Sequence, residues 1–208
     1  MIKIIYSDEV ILVIDKPAGL HTLPDGYDAN LPYVRGMLEP EYGRLWIVHR
    51  LDRETSGVLV LARTAEAHRA LNTQFEQHQV RKIYHALVVG SPDWKETTVR
   101  LPLRTNVGHR HRTAVDPQRG KPAVTHLRVL ERFEGTTLVE AAPETGRTHQ
   151  IRAHLAALGY PIVGDELYGG GPSPAGLSLH ALSLEITHPV TGERMKFEAE
   201  NSKLRLPK

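Results

Sequence analysis

Short apolar runs separated by charged or glycine-containing turns recur along most of this 208-residue chain. Runs rich in Val, Ile and Leu that are closed by Gly, Pro, Asn or Asp are typical of β-strands. They predict strands over residues 2–6, 10–15, 45–48, 57–62, 79–90, 124–133, 136–142, 182–187 and 195–200.

Three segments have helical spacing instead. After Thr64, a predicted N-cap, the apolar residues Ala67, Leu71 and Phe75 recur every fourth position and should face the core. Residues 148–158 predict a helix with one apolar stripe, closed by a glycine at position 159. A short helix is predicted over residues 31–37, ending before Pro40 because proline has no backbone donor.

The order of these elements indicates the fold class. Strands dominate, and the helices are interspersed without a regular βαβ alternation, which favours an α+β fold over a doubly wound sheet. A chain of this length forms one sizeable core or two small lobes. With 40% hydrophobic and 24% charged residues, the composition is that of a globular protein.

Several classes of protein are disfavoured by what the sequence lacks. No apolar run approaches the roughly 20 residues that span a bilayer, and the first residues do not have the layout of a signal peptide. There is no cysteine, so disulfides, thiolate metal sites and a cysteine nucleophile are excluded. The cytoplasm is therefore the predicted compartment.

Charge is unevenly distributed. The formal net charge is +2, but the segment from Arg104 to Lys121 has five basic residues and one acidic residue, a local charge of +4. Such a segment suits a surface that follows RNA phosphates, although a solvated loop is the alternative. His109 and His111 alternate there with Arg110 and Arg112. A metal site is disfavoured because no carboxylate or cysteine joins them at ligand spacing.

One charged turn has the composition of a reactive site. Residues 47–57 lead from one apolar run into the next, and Asp52 lies there between Arg50 and Arg53. Neighbouring cations favour the ionised carboxylate, so Asp52 should be charged at neutral pH and suited to act as a nucleophile. A solvated Asp-Arg turn with no chemistry is the alternative interpretation.

This turn resembles the active-site signature of the RluA-type RNA pseudouridine synthases, with HRLD at 49–52 followed by TSG at 55–57. RKIY at 81–84 is similar to the family's second motif, and residues 144–154 to its third. KPAG at 16–19, residues 161–169 and residues 179–181 also fit. The matching segments follow the family's order over about residues 4–192, which makes the resemblance specific.

The resemblance implies catalytic roles. Asp52 would be the catalytic residue, acting either by attack on the ribose C1′ or by abstraction of a sugar proton. Tyr84 would lie against the target base. A basic residue of the third motif would pair with Asp52; Arg152 is the first candidate and Arg147 the second. Arg50 would occupy the space that the flipped base leaves.

The resemblance also implies residues that bind the substrate. Ile151 and Leu179 would form apolar walls of the uracil pocket. Arg110, Arg112 and Arg147 would contact RNA, and His49 would be a structural or phosphate-facing residue. The KPAG segment should contribute backbone shape and not chemistry.

The family's architecture implies a large mixed, mainly antiparallel central sheet with peripheral helices and an RNA-binding cleft. Residues 1–208 would form one catalytic domain without a separate N-terminal RNA-binding domain. The reaction is redox-neutral, so no metal and no organic cofactor is expected. The predicted partner is a stem-loop of ribosomal RNA, transfer RNA or both, and the chain should be a monomer.

Two rival functions are compatible with parts of the sequence. A catalytically silent RNA-binding module would use the same fold, but it would have no need of a carboxylate beside phosphates. A glycoside hydrolase would need a second carboxylate at a defined distance from Asp52, and Glu54 is the only obvious one nearby.

Overall fold

The computed structural model describes residues 2–28, 30–108 and 112–200, and within them it contains twelve strands and three helices. The helices are α1 (Val34–Tyr42), α2 (Ala65–Glu76) and α3 (Gln150–Ala157). The strands are β1 (Lys3–Ser7), β2 (Ile11–Lys16), β3 (Trp46–Ile47), β4 (Ser56–Ala62), β5 (Arg81–Val89), β6 (Glu96–Val99), β7 (Leu103–Val107), β8 (Arg112–Val115), β9 (Thr125–Phe133), β10 (Thr136–Pro143), β11 (Leu179–Thr187) and β12 (Arg194–Glu198).

The described residues form two compact units. The first contains the residues up to Lys82 and those from Ala181 onward, and the second contains residues Ile83–His180. The predicted α+β class with a mainly antiparallel sheet is confirmed. None of the helices in the described ranges is long and apolar enough to cross a membrane.

The first unit is built on a fully buried strand. In it β1, β2, β4 and β11 are neighbours in that order, with β3 beside β4 and β12 beside β11. All seven residues of β4 are buried, which is why its sequence is almost continuously apolar and does not alternate. Helix α2 covers this core with Ala67 and Leu71. As predicted, Thr64 caps α2, because its hydroxyl accepts a hydrogen bond from the Ala67 amide at 3.1 Å.

The second unit contains an antiparallel array and a separate hairpin. Strands β5, β10, β9 and β6 are neighbours in that order. Strands β7 and β8 pair with each other in a two-stranded sheet, almost entirely within the basic segment between Arg104 and Lys121. Helix α3 buries Ile151 and Leu155 in the core of this unit, so the predicted apolar stripe is confirmed. Gly159 follows the helix with a positive φ of 86°.

The prediction for the first helix is wrong at both ends. Helix α1 begins at Val34 and continues through Pro40 to Tyr42. The missing proline donor affects a single hydrogen bond, and the next turn is recovered by Gly43, whose amide donates to the Glu39 carbonyl at 3.0 Å. A proline in a short surface helix was therefore tolerated where the sequence predicted a stop.

Two further elements differ from the predictions. Helix α3 begins at Gln150 and not at residue 148, because His149 has a left-handed backbone with φ of 53°. The Gln150 side chain closes this end by accepting hydrogen bonds from the Thr145 hydroxyl at 2.6 Å and the Arg147 amide at 3.0 Å. Strand β6 was not predicted, because its four residues include only one that is buried, Val99.

Candidate active site

The turn that carries Asp52 is anchored through its main chain on both sides of the carboxylate. The Thr22 hydroxyl donates to the Leu51 carbonyl at 2.9 Å and accepts from the Leu51 amide at 3.3 Å. On the other side, the Thr55 amide donates to the Asp52 carbonyl at 3.1 Å. Asp52 itself is half-buried between the buried residues Leu51 and Thr55. A carboxylate is thus held at the surface of the first unit by a turn with little freedom to move.

Lys16 provides a second anchor that sequence reasoning missed. Its side chain is fully buried at the end of β2. The ammonium donates to three carbonyls, those of Pro17 at 2.9 Å, Leu20 at 2.8 Å and Arg53 at 3.1 Å. The Gly19 amide also donates to the Arg53 carbonyl at 2.8 Å. The KPAG segment therefore shapes backbone, as predicted, and the backbone it shapes is that of the Asp52 turn.

Gly57 follows this turn, and its backbone lies close to that of Ala181 in β11. Its φ is 113°, and a Cβ at this position would lie 2.2 Å from the Ala181 carbonyl oxygen. Only a residue without a side chain allows this approach. The glycine of the TSG segment is therefore required by packing in the first unit.

His49 has structural contacts in the first unit. Its Nε2 accepts a hydrogen bond from the Val60 amide at 3.2 Å, and its ring stacks on Phe75 with 4.7 Å between the ring centroids. Burial, with a smaller contribution from the Lys82 charge, lowers the pKa of His49 to about 3. Its imidazole is thus neutral at physiological pH. His49 was predicted to be either a structural or a phosphate-facing residue, and these contacts are those of a structural residue.

His49 should make stability depend on pH in a recognisable way. Between about pH 3 and pH 6.5 the unfolded chain binds a proton on this ring that the folded chain does not bind. Stability therefore falls as the pH is lowered through this window, by at most about 1.4 kcal/mol per pH unit. In His49→Gln, which keeps an acceptor for the Val60 amide, the urea midpoint should fall less between pH 7 and pH 5 than in the wild type.

A matched control for this measurement is His78→Asn, which replaces an exposed histidine of the same unit. This control should keep the wild-type pH dependence. The same decrease of the urea midpoint in His49→Gln and in the wild type would contradict the assignment of a neutral imidazole at position 49.

The two arginines that flank Asp52 are both exposed. Arg53 lies 3.3 Å from Glu54 between Nε and Oε1, and its Nε also donates to the Gly19 carbonyl at 3.4 Å. An exposed pair of this kind contributes little to stability. The turn therefore presents charged groups to solvent on both sides of Asp52.

Lys82 is a further charged residue of the first unit, and no role was predicted for it from the sequence. It lies on β5, within the RKIY segment. Burial lowers the pKa of Lys82 to about 8, so part of the population is neutral in mildly basic solution. The sequence showed that Lys82 belongs to a motif, but its lowered pKa could not be predicted because it depends on burial in the folded chain.

Three of the predicted site residues meet in the second unit. Ile151 and Leu179 are buried in one hydrophobic cluster, with exposed fractions of 6% and 5%. Tyr84, which is half-buried on β5, packs against the same cluster. The residues predicted to wall the uracil pocket and to lie against the base are thus neighbours, although they come from distant parts of the sequence.

Arg152 forms a two-pronged ion pair with Asp165. Its Nε donates to Oδ2 at 2.7 Å and its Nη2 donates to Oδ1 at 2.8 Å. Both residues are buried, with exposed fractions of 8% and 2%. The guanidinium also lies over the ring of Tyr168, 5.1 Å from its centroid. A bidentate geometry fixes the orientation of the guanidinium plane as well as its position.

The other predicted basic residues occupy different places in the second unit. Arg147 is half-buried, and its Nε donates to the Pro122 carbonyl at 3.1 Å. Arg112 is exposed at the start of β8. His109, Arg110 and His111 lie outside the described residues. Within residues 2–28, 30–108 and 112–200, no group of three or more His, Cys, Asp or Glu residues is arranged to hold a metal ion.

Asp52, Arg50 and His49 belong to the first unit, whereas Tyr84, Arg152, Arg147, Ile151 and Leu179 belong to the second. The convergence of the acid, the phenol and the guanidinium around one base stays a prediction.

Comparison with known proteins identifies the family. Residues 10–157 match the family model described as RNA pseudouridylate synthase. The chain is 41% identical, over an aligned length of 213 residues, to ribosomal large subunit pseudouridine synthase D of Nitrosomonas europaea, an alignment that covers 95% of this chain and 61% of that protein. It is 40% identical over 200 residues to the dual-specificity RNA pseudouridine synthase RluA of Escherichia coli, which covers 94% of this chain and 91% of that one.

A solved structure gives the same result for the fold. The human RNA pseudouridylate synthase domain containing 1 is similar with a TM-score of 0.81 and 29% identity, over 96% of this chain and 83% of the human chain. The matched family region contains Asp52 and its anchored turn, the RKIY segment of β5 and Arg152 of α3. On these matches, the chain belongs to the RluA-type family of RNA pseudouridine synthases.

Proposed function

We propose that this chain converts specific uridines of structured RNA to pseudouridine, with Asp52 as the catalytic residue and ribosomal RNA, transfer RNA or both as the substrate. The observation that carries the proposal is the way in which hydrogen bonds hold the turn that bears Asp52. A half-buried carboxylate stands on a turn whose main chain is bonded to Thr22 and to Lys16 on its two sides. Electrostatic catalysis depends on charges that are positioned before the substrate arrives.

The reaction is an isomerisation. The bond between N1 of the uracil and C1′ of the ribose breaks, the base turns, a bond forms between C5 and C1′, and the proton on C5 moves to N1 by way of the site or solvent. No atom is gained and no electron is transferred, so neither an oxidant nor a reductant is required. Attack on C1′ and abstraction of a sugar proton both require Asp52 to be ionised.

The uridine must leave the base stack before this chemistry can begin. Extrusion of a base costs a few kcal/mol, least for a base in a loop. Arg50, which is exposed beside Asp52, has the planar cation needed to fill the vacated space and contact phosphate at the same time. The basic hairpin with Arg112, together with Arg110, would follow the RNA backbone.

The extruded uracil needs an apolar pocket with one polar side. The cluster that contains Ile151 and Leu179 offers the apolar walls, and Tyr84 packs at its margin. Arg152, oriented by Asp165, is our candidate for the cation that orients Asp52, with Arg147 as the alternative. His49 is neutral and accepts a hydrogen bond from the Val60 amide, so it would support the Asp52 turn through this contact with β4. It could contact phosphate only as an uncharged hydrogen-bond donor.

The name of each relative indicates which RNA to test. The Nitrosomonas relative is named for the ribosomal large subunit, and the Escherichia coli relative is named as having dual specificity. We therefore propose a short stem-loop of ribosomal RNA, transfer RNA or both as the substrate, recognised by a monomer in the cytoplasm.

A pseudouridine map of total RNA, compared between cells with and without the gene, tests the activity. We expect at least one position in ribosomal or transfer RNA to lose its pseudouridine and to regain it on complementation. The purified protein should modify the same position in an unmodified transcript, without added metal or cofactor. Identical maps, together with no product on total unmodified RNA, would overturn the proposal.

A further inference from the structure

Tyr168 connects two parts of the second unit that the proposed function uses separately. Its hydroxyl donates to the Thr113 carbonyl at 3.0 Å and accepts from the Thr113 amide at 2.9 Å. The His149 Nδ1 lies 3.1 Å from the same oxygen. Because the hydroxyl proton is directed to Thr113, the His149 nitrogen must be the donor in this third contact. One side chain thus contacts the basic hairpin and the start of α3.

The Tyr168 hydroxyl makes the two hydrogen bonds with Thr113 that a neighbouring strand would otherwise make. In a β-strand the amide and the carbonyl of one residue point to the same side. Thr113 lies opposite the irregularity of the hairpin, between the paired residues Arg112 and Ala114. Thr113 is also buried, with an exposed fraction of 1%, so an unpaired amide and carbonyl there would be costly. Tyr168 satisfies both groups with a single oxygen.

The ring of Tyr168 meets the proposed catalytic cation. The Arg152 guanidinium lies over this ring at 5.1 Å and is held from its edge by Asp165. Burial raises the pKa of the Tyr168 hydroxyl, so it keeps its proton and remains a donor at neutral pH. The hairpin and the guanidinium therefore share one rigid aromatic residue.

Tyr168 is itself on a tightly closed turn. The Asp165 carbonyl accepts from the Tyr168 amide at 3.1 Å and from the Gly170 amide at 2.8 Å. A Cβ on Gly170 would lie 1.7 Å from the Ile162 carbonyl oxygen, so the turn is closed as far as backbone atoms allow. Because this turn restricts movement of Tyr168, its side chain can hold Thr113 and the Arg152 guanidinium at fixed positions.

The hairpin is attached to the rest of the second unit by packing as well as by hydrogen bonds. Leu103 and Val115 pack with Ala153 and Tyr168 in a small cluster. A groove of about 480 Å³ is lined by β8 on one side and by Ala153, Ala156 and Ala157 on the helix side. The hydrogen bonds of Tyr168 add to this packing a polar attachment of β8 to the rest of the unit.

We propose that Tyr168 is a positioning residue that couples the RNA-contacting hairpin to the Arg152–Asp165 pair. It touches neither substrate nor the reacting atoms. Its hydroxyl holds the hairpin, and its ring supports the face of the guanidinium that Asp165 orients. This inference rests on the proposed function, because it assigns the hairpin to RNA binding and Arg152 to catalysis.

Two substitutions separate the two halves of the proposal. Tyr168→Phe removes the hydroxyl but keeps the ring under Arg152, so the KM for substrate RNA should rise about tenfold with kcat unchanged. Tyr168→Leu removes the ring as well, so kcat should also fall about tenfold. Tyr160→Phe is the matched control, because Tyr160 lies in the same unit and packs against Trp94, away from the hairpin contacts. It should leave KM and kcat at wild-type values.

A second readout needs no turnover. Hydrogen exchange of the Thr113 amide, followed by NMR on the free protein, should accelerate at least about tenfold in Tyr168→Phe and remain unchanged in Tyr160→Phe. Unchanged exchange and unchanged RNA affinity in Tyr168→Phe would overturn the coupling, as would equal losses of kcat in the Phe and Leu variants. If the wild type modifies no RNA, the proposed function fails, and the exchange measurement still decides whether Tyr168 holds the hairpin.

Discussion

Asp52→Asn is expected to lose pseudouridine formation by at least about 10³-fold, while its affinity for substrate RNA stays within a few-fold of the wild-type value. The amide has almost the same shape as the carboxylate, so the turn held by Thr22 and Lys16 should not change. What disappears is the negative charge, on which attack at C1′ and removal of a sugar proton both depend. Binding should survive, because in the proposed function the phosphate contacts come from arginines and not from Asp52.

The measurement is single-turnover formation of pseudouridine in a defined transcript, with RNA affinity determined in parallel. Glu54→Gln is the matched control, because it makes the same chemical change two residues away in an exposed pair with Arg53. It should retain nearly full activity, since such pairs contribute little. Turnover in Asp52→Asn within tenfold of the wild type would refute the catalytic role.

The same pair of variants distinguishes the rival functions. A silent RNA-binding module would show no turnover in the wild type and no change in RNA affinity in either variant. A glycoside hydrolase that used both carboxylates would lose activity in Glu54→Gln as well, and it would release free uracil or sugar. Only a pseudouridine synthase yields a product that stays in the RNA chain with its composition unchanged.

The strands that carry the site could be predicted from local pattern. Strand β4 is a run of apolar residues closed by a charged turn, and its burial on both faces follows from that composition. Helix α2 combined an N-cap at Thr64 with regular apolar spacing, so local and tertiary preferences agree there. The cluster of Ile151, Leu179 and Tyr84 required the family resemblance, because nothing in local spacing relates positions so far apart.

The supporting residues were beyond sequence reasoning for a physical reason. Lys16 is a charged residue in a strand pattern, and its role depends on the Arg53 carbonyl, which is brought to it only by the pairing of β2 with β4. Tyr168 likewise acts on Thr113, which precedes it by 55 positions. Hydrogen bonds to a distant main chain leave no periodic signal, because any residue type can supply the backbone partner.

Gly57→Ala is expected to lower the free energy of unfolding by roughly 4 kcal/mol, enough to leave much of the protein insoluble or unfolded. The added Cβ would lie 2.2 Å from the Ala181 carbonyl oxygen and 2.7 Å from the Ala181 nitrogen and carbonyl carbon. All three are backbone atoms of the neighbouring strand β11, so no side-chain rotation can relieve the overlap. The φ of 113° adds strain of its own for any residue with a Cβ.

Gly43→Ala separates the overlap from the backbone strain. Gly43 lies in the same unit with a positive φ of 73°, and a Cβ there would meet nothing within 4 Å. With ψ at −163°, Gly43 lies in a backbone region that is essentially restricted to glycine, so this control should cost about 1–3 kcal/mol from backbone strain alone. Urea denaturation and the soluble fraction after expression give the comparison. Equal losses in the two variants would mean that conformation alone explains the need for glycine.

The consequence of Gly57→Ala should extend to the site as well as to stability. Gly57 is paired with Lys16 across β2 and β4, and Lys16 holds the Arg53 carbonyl of the Asp52 turn. A shift of β4 away from β11 therefore moves the anchor of the carboxylate that we propose to be catalytic. In the folded fraction of Gly57→Ala, kcat should fall about tenfold or more, because small displacements of a positioned group are costly to rate. Full kcat per folded molecule would show that the turn tolerates movement of β4, and that its rigidity does not depend on this strand.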